Sequence, residues 1–129
     1  MLKKSPKYQY ALNLWRKLIQ ETFAGRCAAC HNQGHHCHHI IPAGFIHYSL
    51  APENGILLCV NCHARAHAAG GSEWLDGIIK ERLPQWFSQI EYNRTHHENR
   101  TFTDQDLRDA VERIRKTLTA FHQYQFGQN

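Results

Sequence analysis

The chain has 129 residues, 42% hydrophobic and 20% charged, which suits one domain with a single core and excludes disorder throughout. Its formal net charge of +4 is concentrated before Ser72, where Lys3, Lys4, Lys7, Arg16, Lys17, Arg26 and Arg65 are opposed only by Glu21 and Glu53, a balance that suits a polyanionic partner. No run approaches the roughly 18 to 20 apolar residues that span a bilayer, and Pro6-Lys7-Tyr8-Gln9-Tyr10 is too polar to follow Lys3 and Lys4 as the core of a signal peptide, so the cytoplasm, where thiols stay reduced, is the expected location.

In chain order, Leu12, Trp15, Ile19 and Phe23 recur at three- and four-residue steps and predict an amphipathic helix from Tyr8 to Phe23, ended by Gly25 and covering the core. Residues 26–58 are rich in Gly, Pro, His and Asn. Cys37 to Ile41 and Ile56 to Cys59 are the predicted strands, joined by a loop with Pro42, Gly44, Pro52 and Gly55. Asn61 is the expected cap of a short helix from Cys62 to Ala69, stopped at Gly70-Gly71. Ser72 then caps a helix from Glu73, with Trp74, Leu75, Ile78 and Ile79 on one face. Pro84 restarts it, with Trp86, Phe87 and Ile90 continuing the apolar theme. Asn93 to Arg100 reads as a polar connector. Thr103 and Asp106 form a capping box, with Asp in place of Glu, for a helix whose buried stripe is Leu107, Val111, Ile114, Leu118 and Phe121.

One short pattern occurs twice: Cys27-Ala28-Ala29-Cys30-His31 and Cys59-Val60-Asn61-Cys62-His63. Two residues between thiolates let one tight turn aim both sulfurs at one ion. Two such turns, Cys27/Cys30 and Cys59/Cys62, complete a tetrahedral shell suited to structural Zn²⁺. C-x2-C-H is also the attachment signature of c-type haem, so a dihaem electron carrier is the rival reading. It requires export and leaves the remaining histidine spacings without a purpose. Cys37, the fifth cysteine, reads as a small buried strand residue.

Eleven histidines are many for this length. His38-His39 ends a predicted strand, while His63 and His67 are four apart and project from one helical face. Cys62 lies one residue, about 100°, from His63. One short helix therefore offers Cys62 to a structural ion and His63 with His67 to a separate cleft. Phosphodiester hydrolysis needs a base that is neutral near pH 7, which imidazole provides, and a divalent cation to offset charge on the phosphate. An all-imidazole set permits Mg²⁺, Mn²⁺, Ni²⁺, Co²⁺ or Zn²⁺. Arg65, Lys3, Lys4 and Lys7 are the candidate contacts to nucleic acid. His31, His35, His36 and His47 read as solvent-facing or as neighbours of the site, and His96-His97 as having no part in catalysis.

His38-His39-Ile40, then Asn54-Gly55-Ile56-Leu57-Leu58-Cys59, then Cys62-His63 and His67 resemble the HNH endonucleases, also called His-Me finger or ββα-metal nucleases, in their zinc-stapled four-cysteine subgroup. The resemblance covers Cys27 to about His67. It implies that His38 is a ligand of the catalytic metal and His39 the general base. It further implies that Asn54 holds the loop behind the base, that His63 is a second ligand, and that His67 binds metal or the scissile phosphate. The helices that follow look similar to those of phage recombination nucleases, which would place the protein in a bacterial or phage-infected cell.

The expected fold class is therefore α+β: a small ββα-metal core over residues 25–71 clamped by a four-cysteine zinc site. It lies between an N-terminal helix in 1–24 and a helical extension in 72–129, all in one domain. The expected function is metal-dependent hydrolysis of DNA, double-stranded or branched. The C-terminal helices would cap the core or serve as a dimer interface or a reader of DNA shape. The competing function is a non-catalytic zinc module that binds nucleic acid, which needs the cysteines but not His39 and Asn54 together.

Overall fold

A computed structural model describes residues 2–127. The helices are α1 (Pro6–Thr22), α2 (Val60–His67), α3 (Gly71–Arg82), α4 (Pro84–Thr95) and α5 (Asp104–Gly127). Between α1 and α2 lie β1 (His36–His39) and β2 (Gly55–Leu58), and short 3-10 turns occupy Leu2–Lys4, Ile46–Tyr48 and Pro52–Asn54. The architecture is α+β. None of the described helices is long and apolar enough to cross a membrane.

The two strands pair antiparallel in the register His36↔Leu58, Cys37↔Leu57, His38↔Ile56 and His39↔Gly55. Side chains alternate along a strand, so His36, His38, Ile56 and Leu58 share one face, and Cys37, His39 and Leu57 share the other. Each face has its own core. Leu57 joins Tyr8, Ala11, Trp15, Leu18 and Ile19 of α1 and Leu107, Ile114 and Leu118 of α5. Ile56 and Leu58 join Ile40, Ile41, Ala66 of α2, Leu75 and Ile79 of α3 and Ile90 of α4. A two-stranded hairpin is marginal alone in water, and here it is sandwiched between helices.

The first helix begins two residues before the expected Tyr8, because Ser5 Oγ accepts from Tyr8 N at 3.1 Å and Pro6 suits the first helical position. Its buried face is Tyr8, Ala11, Trp15, Leu18 and Ile19, while Leu12 and Phe23 are half-buried at its margin. The last helix carries the expected capping box. Asp106 N donates to Thr103 Oγ1 at 3.2 Å, and Thr103 N donates to the Asp106 carboxylate at 2.8 Å. Leu107, Ile114 and Leu118 of its stripe are buried against α1.

Other boundaries also differ from expectation: β1 runs His36–His39 rather than Cys37 to Ile41, and β2 runs Gly55–Leu58 rather than Ile56 to Cys59. Cys59, not Asn61, caps α2: its Sγ accepts from Cys62 N at 3.4 Å, so the second C-x2-C turn doubles as the helix start. Gly70, not Ser72, precedes α3, with φ of 75°, and α3 opens at Gly71. A Cβ on Gly71 would collide with the carbonyl oxygens of Arg65 and Ala66, so this tight α2–α3 corner requires glycine. Finally, α4 runs on to Thr95 through the expected connector, with Asn93 buried and hydrogen-bonded to Gln89 Nε2 at 3.0 Å.

Candidate functional site

The four cysteines of the repeated pattern converge. Sγ atoms of Cys27, Cys30, Cys59 and Cys62 all lie within 4.8 Å of one another, so both pairs supply one site that can hold a metal ion. Cys30 and Cys59 sulfurs are 3.6 Å apart, far beyond a disulfide bond but close to the roughly 3.8 Å edge of a tetrahedron with metal–sulfur bonds of about 2.3 Å. Burial opposes ionisation of Cys27, but backbone N–H groups of Cys30, Cys59 and Ala29 outweigh it and hold the thiol at about 7. Cys62 is pushed up by burial and by the neighbouring thiols of Cys59 and Cys27. Thiolates this close repel one another, and a divalent cation among them removes the conflict. From α3, Arg82 Nη1 donates to the carbonyls of Ala28 and Ala29, at 2.7 and 2.6 Å, and ties the first cysteine turn to the helical layer.

A second cluster lies on the other side of α2. Ring nitrogens of His38, His63 and His67 lie within 4.8 Å of one another. Their separation from the thiolates follows from α2: Cys62 turns toward the cysteines, and His63 and His67 share the next face. The Nε2 atoms of His63 and His67 are 3.1 Å apart. Two nitrogens about 2.1 Å from one ion lie about 3.0 to 3.4 Å apart in octahedral or tetrahedral geometry, so this pair is spaced to share one. His38 and His63 are half-buried and His67 is exposed, which leaves the cluster open on one side. Burial, then the nearby rings of His67, His63 and His39, lower His38 to about 4, and burial with His36 and His67 lowers His63. Neutral imidazole is the form that ligates a cation.

His36, read from sequence as solvent-facing or a neighbour of the site, adjoins this cluster. It sits two residues before His38, on the same strand face, and stacks on His63 with centroids 4.3 Å apart and planes at 14°. The two-residue period of the strand was the available signal.

His39 points to the opposite face. Its ring stacks on Trp15 at 4.1 Å and 6°, and its Nε2–H donates to the Ser49 carbonyl at 2.8 Å. A carbonyl only accepts, so the proton is fixed on Nε2 and Nδ1 carries the free lone pair. Burial lowers His39 below its ordinary value, the Ser49 carbonyl works against that, and the positive charges of Arg16 and Lys3 reinforce it. His38 and His39 face opposite sides, yet His39↔Gly55 is the last pair of the ladder. The two rings thus sit on opposite faces at one end of the hairpin, and the charge of His39 still acts on His38.

The loop behind His39 is pinned from several directions. Asn54, fully buried, accepts from Ile41 N through Oδ1 at 2.6 Å and donates through Nδ2 to the carbonyls of Ile41 and Tyr48 at 3.0 and 3.1 Å. Tyr8 OH donates to Ser49 Oγ at 2.7 Å, which donates on to Ile46 O at 2.8 Å, and Trp15 Nε1 donates to Ala51 O at 2.9 Å. Thus α1, read from sequence as a cover for the core, also aims His39. Gly55 permits this: a Cβ there would sit 2.6 Å from both Ile19 Cγ1 and Trp15 Cζ2.

Arg65 is exposed, with its guanidinium over the Trp74 ring at 4.3 Å. Lys4 is exposed, and Lys3 is half-buried with its carbonyl accepting from Gln9 Nε2 at 2.7 Å. Lys7 instead lines a groove of about 700 Å³ between α1 and α5, with Tyr10, Leu107 and Val111, and not the histidine cluster. His47 Nε2 donates to Arg100 O at 2.8 Å, and His97 stacks on Phe45, so both have contacts outside the cluster. Comparison with protein-family models, with curated proteins and with solved structures gives no match.

Proposed function

We propose that this protein is a metal-dependent endonuclease of the HNH type that hydrolyses phosphodiester bonds in DNA. One observation carries the reading: adjacent residues at the end of one hairpin send His38 into an open three-imidazole cluster and His39 to a separately held, neutral position on the opposite face, with Asn54 clamping the loop between the strands. A structural ion alone needs only the cysteines and leaves this second arrangement without a purpose.

In this reading His39 Nδ1 takes a proton from water, and the water oxygen attacks phosphorus. One ester P–O bond breaks, and the departing oxygen takes a proton from solvent. The Ser49 carbonyl holds Nε2–H and gains from the positive charge that forms on the ring, while Trp15 fixes the plane of that ring. Asn54 keeps Ile41 and Tyr48 in place, and with them the path of the chain from His39 to Ser49. A divalent cation held by His38, His63 and His67 would supply positive charge to the phosphate oxygens as the bond breaks. The donor set is all nitrogen with no carboxylate, which fits Ni²⁺, Co²⁺ or Zn²⁺ more readily than Mg²⁺. The four cysteines would hold structural zinc.

Plasmid DNA incubated with the protein and Mg²⁺, Mn²⁺ or Ni²⁺ tests this. Nicking or linearisation should occur, EDTA should stop it, and His39→Ala should lower its rate about 10²- to 10⁴-fold while the protein stays folded. Equal cutting by His39→Ala would remove His39 as the base. DNA binding without any cutting would favour the non-catalytic zinc module.

A further inference from the structure

Two cations from separate pieces of chain, Arg16 and Lys3, act on His39. Arg16 follows Trp15, the residue on which His39 stacks, and its carbonyl accepts from Cys37 Sγ at 3.5 Å, so this turn of α1 lies against β1. The Arg16 side chain is exposed, with Nη1 donating to Asn13 Oδ1 at 3.0 Å, a neutral partner that orients the guanidinium without neutralising it. Lys3 lies in the turn before α1, where its carbonyl accepts from Gln9 Nε2 at 2.7 Å. The positive charges of both act on His39, and no carboxylate is among the groups that do.

This edge continues into a wider asymmetry. Leu2–Lys4 and α1 carry Lys3, Lys4, Lys7, Arg16 and Lys17 against the single acid Glu21, which pairs with His122 at 2.9 Å. Among the described residues none of those five cations is in a salt bridge. On α5 the signs alternate instead: Lys116 pairs with Glu112 and Arg113 with Glu53.

We infer that Arg16 and Lys3 grip the nucleic-acid backbone beside the scissile phosphate on the His39 side, so that the bound strand crosses the hairpin end from α2 onto α1 rather than over α5. This rests on the endonuclease reading and deepens it by giving the substrate a path. Arg16 is the specific member, because its fork can hold two phosphate oxygens while Lys3 offers a point charge. The cluster on α2 would hold one side of the phosphate and Arg16 the other.

The test is binding of a fluorescein-labelled DNA duplex, read by anisotropy at several salt concentrations. It uses the zinc-loaded full chain without added catalytic metal, so that nothing is cut. Arg16→Gln and Lys3→Gln should each weaken binding and reduce the slope of log K against log salt by about 0.9, the signature of one lost phosphate contact. Arg16→Lys should restore the slope but not the full affinity. Arg108→Gln on α5 should leave the slope at the parent value. With metal added, Arg16→Gln should raise KM for plasmid cleavage, and unfolding midpoints equal to the parent's exclude a folding defect. Parent-like slopes for Arg16→Gln and Lys3→Gln, or an equal loss in Arg108→Gln, would overturn the path while leaving the nuclease reading intact. A parent protein that neither binds nor cuts DNA would overturn both.

Discussion

Replacing Asn54 by alanine probes the clamp behind His39 most directly. Asn54 is fully buried and Ile41 is 2% exposed, so water cannot replace the lost bonds without opening the loop. Ile41 N–H loses its acceptor at 2.6 Å, and an unsatisfied buried donor costs about 1–3 kcal/mol. The Ile41 carbonyl loses its donor as well. The Tyr48 carbonyl is less affected, because it still accepts from Ala51 N at 3.1 Å. The sum is about 3–5 kcal/mol, a large share of the roughly 5–15 kcal/mol that holds a domain folded. Asn54→Asp is the sharper companion. It keeps the acceptor for Ile41 N–H but sets a carboxylate against two carbonyl oxygens, so at neutral pH it should cost as much as alanine. Relative to the parent at equal pH, part of that cost should return in acid, where the protonated carboxyl donates again. Urea unfolding of zinc-loaded protein measures all three chains. A loss under about 1 kcal/mol for alanine, or an aspartate as stable as the parent at neutral pH, would refute the clamp.

Gly55→Ala should displace Trp15 or Ile19, cost about 1–3 kcal/mol and disturb the His39 ring, seen as a change in the His39 NMR signals; an unchanged stack would show that the hairpin can shift away from α1. Cys30→Ser and Cys59→Ser should each lower the zinc content measured by atomic absorption and reduce the melting temperature. Retention of the parent zinc stoichiometry would rule out a four-thiolate site. In catalytic-metal-free protein, His38 should titrate near 4 rather than its ordinary 6.5, because burial and the rings of His67, His63 and His39 disfavour its charge. The unfolded chain then binds more protons between those values. Stability should therefore fall as pH drops from about 6.5 toward 4 and should not depend on this group above that window. NMR titration of His38 with acid unfolding curves checks both.

Much of the fold was legible because its signals are local. The apolar period of α1, the Pro84 break, the Thr103–Asp106 capping box and the C-x2-C turns each report on a few neighbouring residues. The two clusters on α2 were legible for the same reason, since the step from Cys62 to His63 separates them on any helix. What the sequence hid is tertiary. Nothing adjacent to Ser49 marks its carbonyl as the partner of His39, and Trp15 reads as an ordinary core aromatic until it is seen beneath an imidazole. Cys59 as a helix cap was missed because a thiolate aimed at an ion is also placed to accept from Cys62 N. Arg16 was hidden because only the packing of α1 against β1 brings it to His39.

The register of the hairpin links the cysteine site to the histidine site. Side chains alternate, so a slip of one residue would send His38 toward Trp15 and His39 toward His63, exchanging the two roles. Four paired residues are too few to prevent that alone. The register is held from outside. Cys27 lies in the turn before β1, with Ala28 N bonded to Leu57 O at 2.9 Å, and Cys59 follows β2 directly, so an ion shared by the two turns pins both strands at the end away from His39. At the other end Asn54 and Gly55 fix the pairing against α1. An ion at the cysteines would thus shape the histidine site without touching it. It would help set which of two adjacent histidines faces the open cluster and which one faces the carbonyl of Ser49.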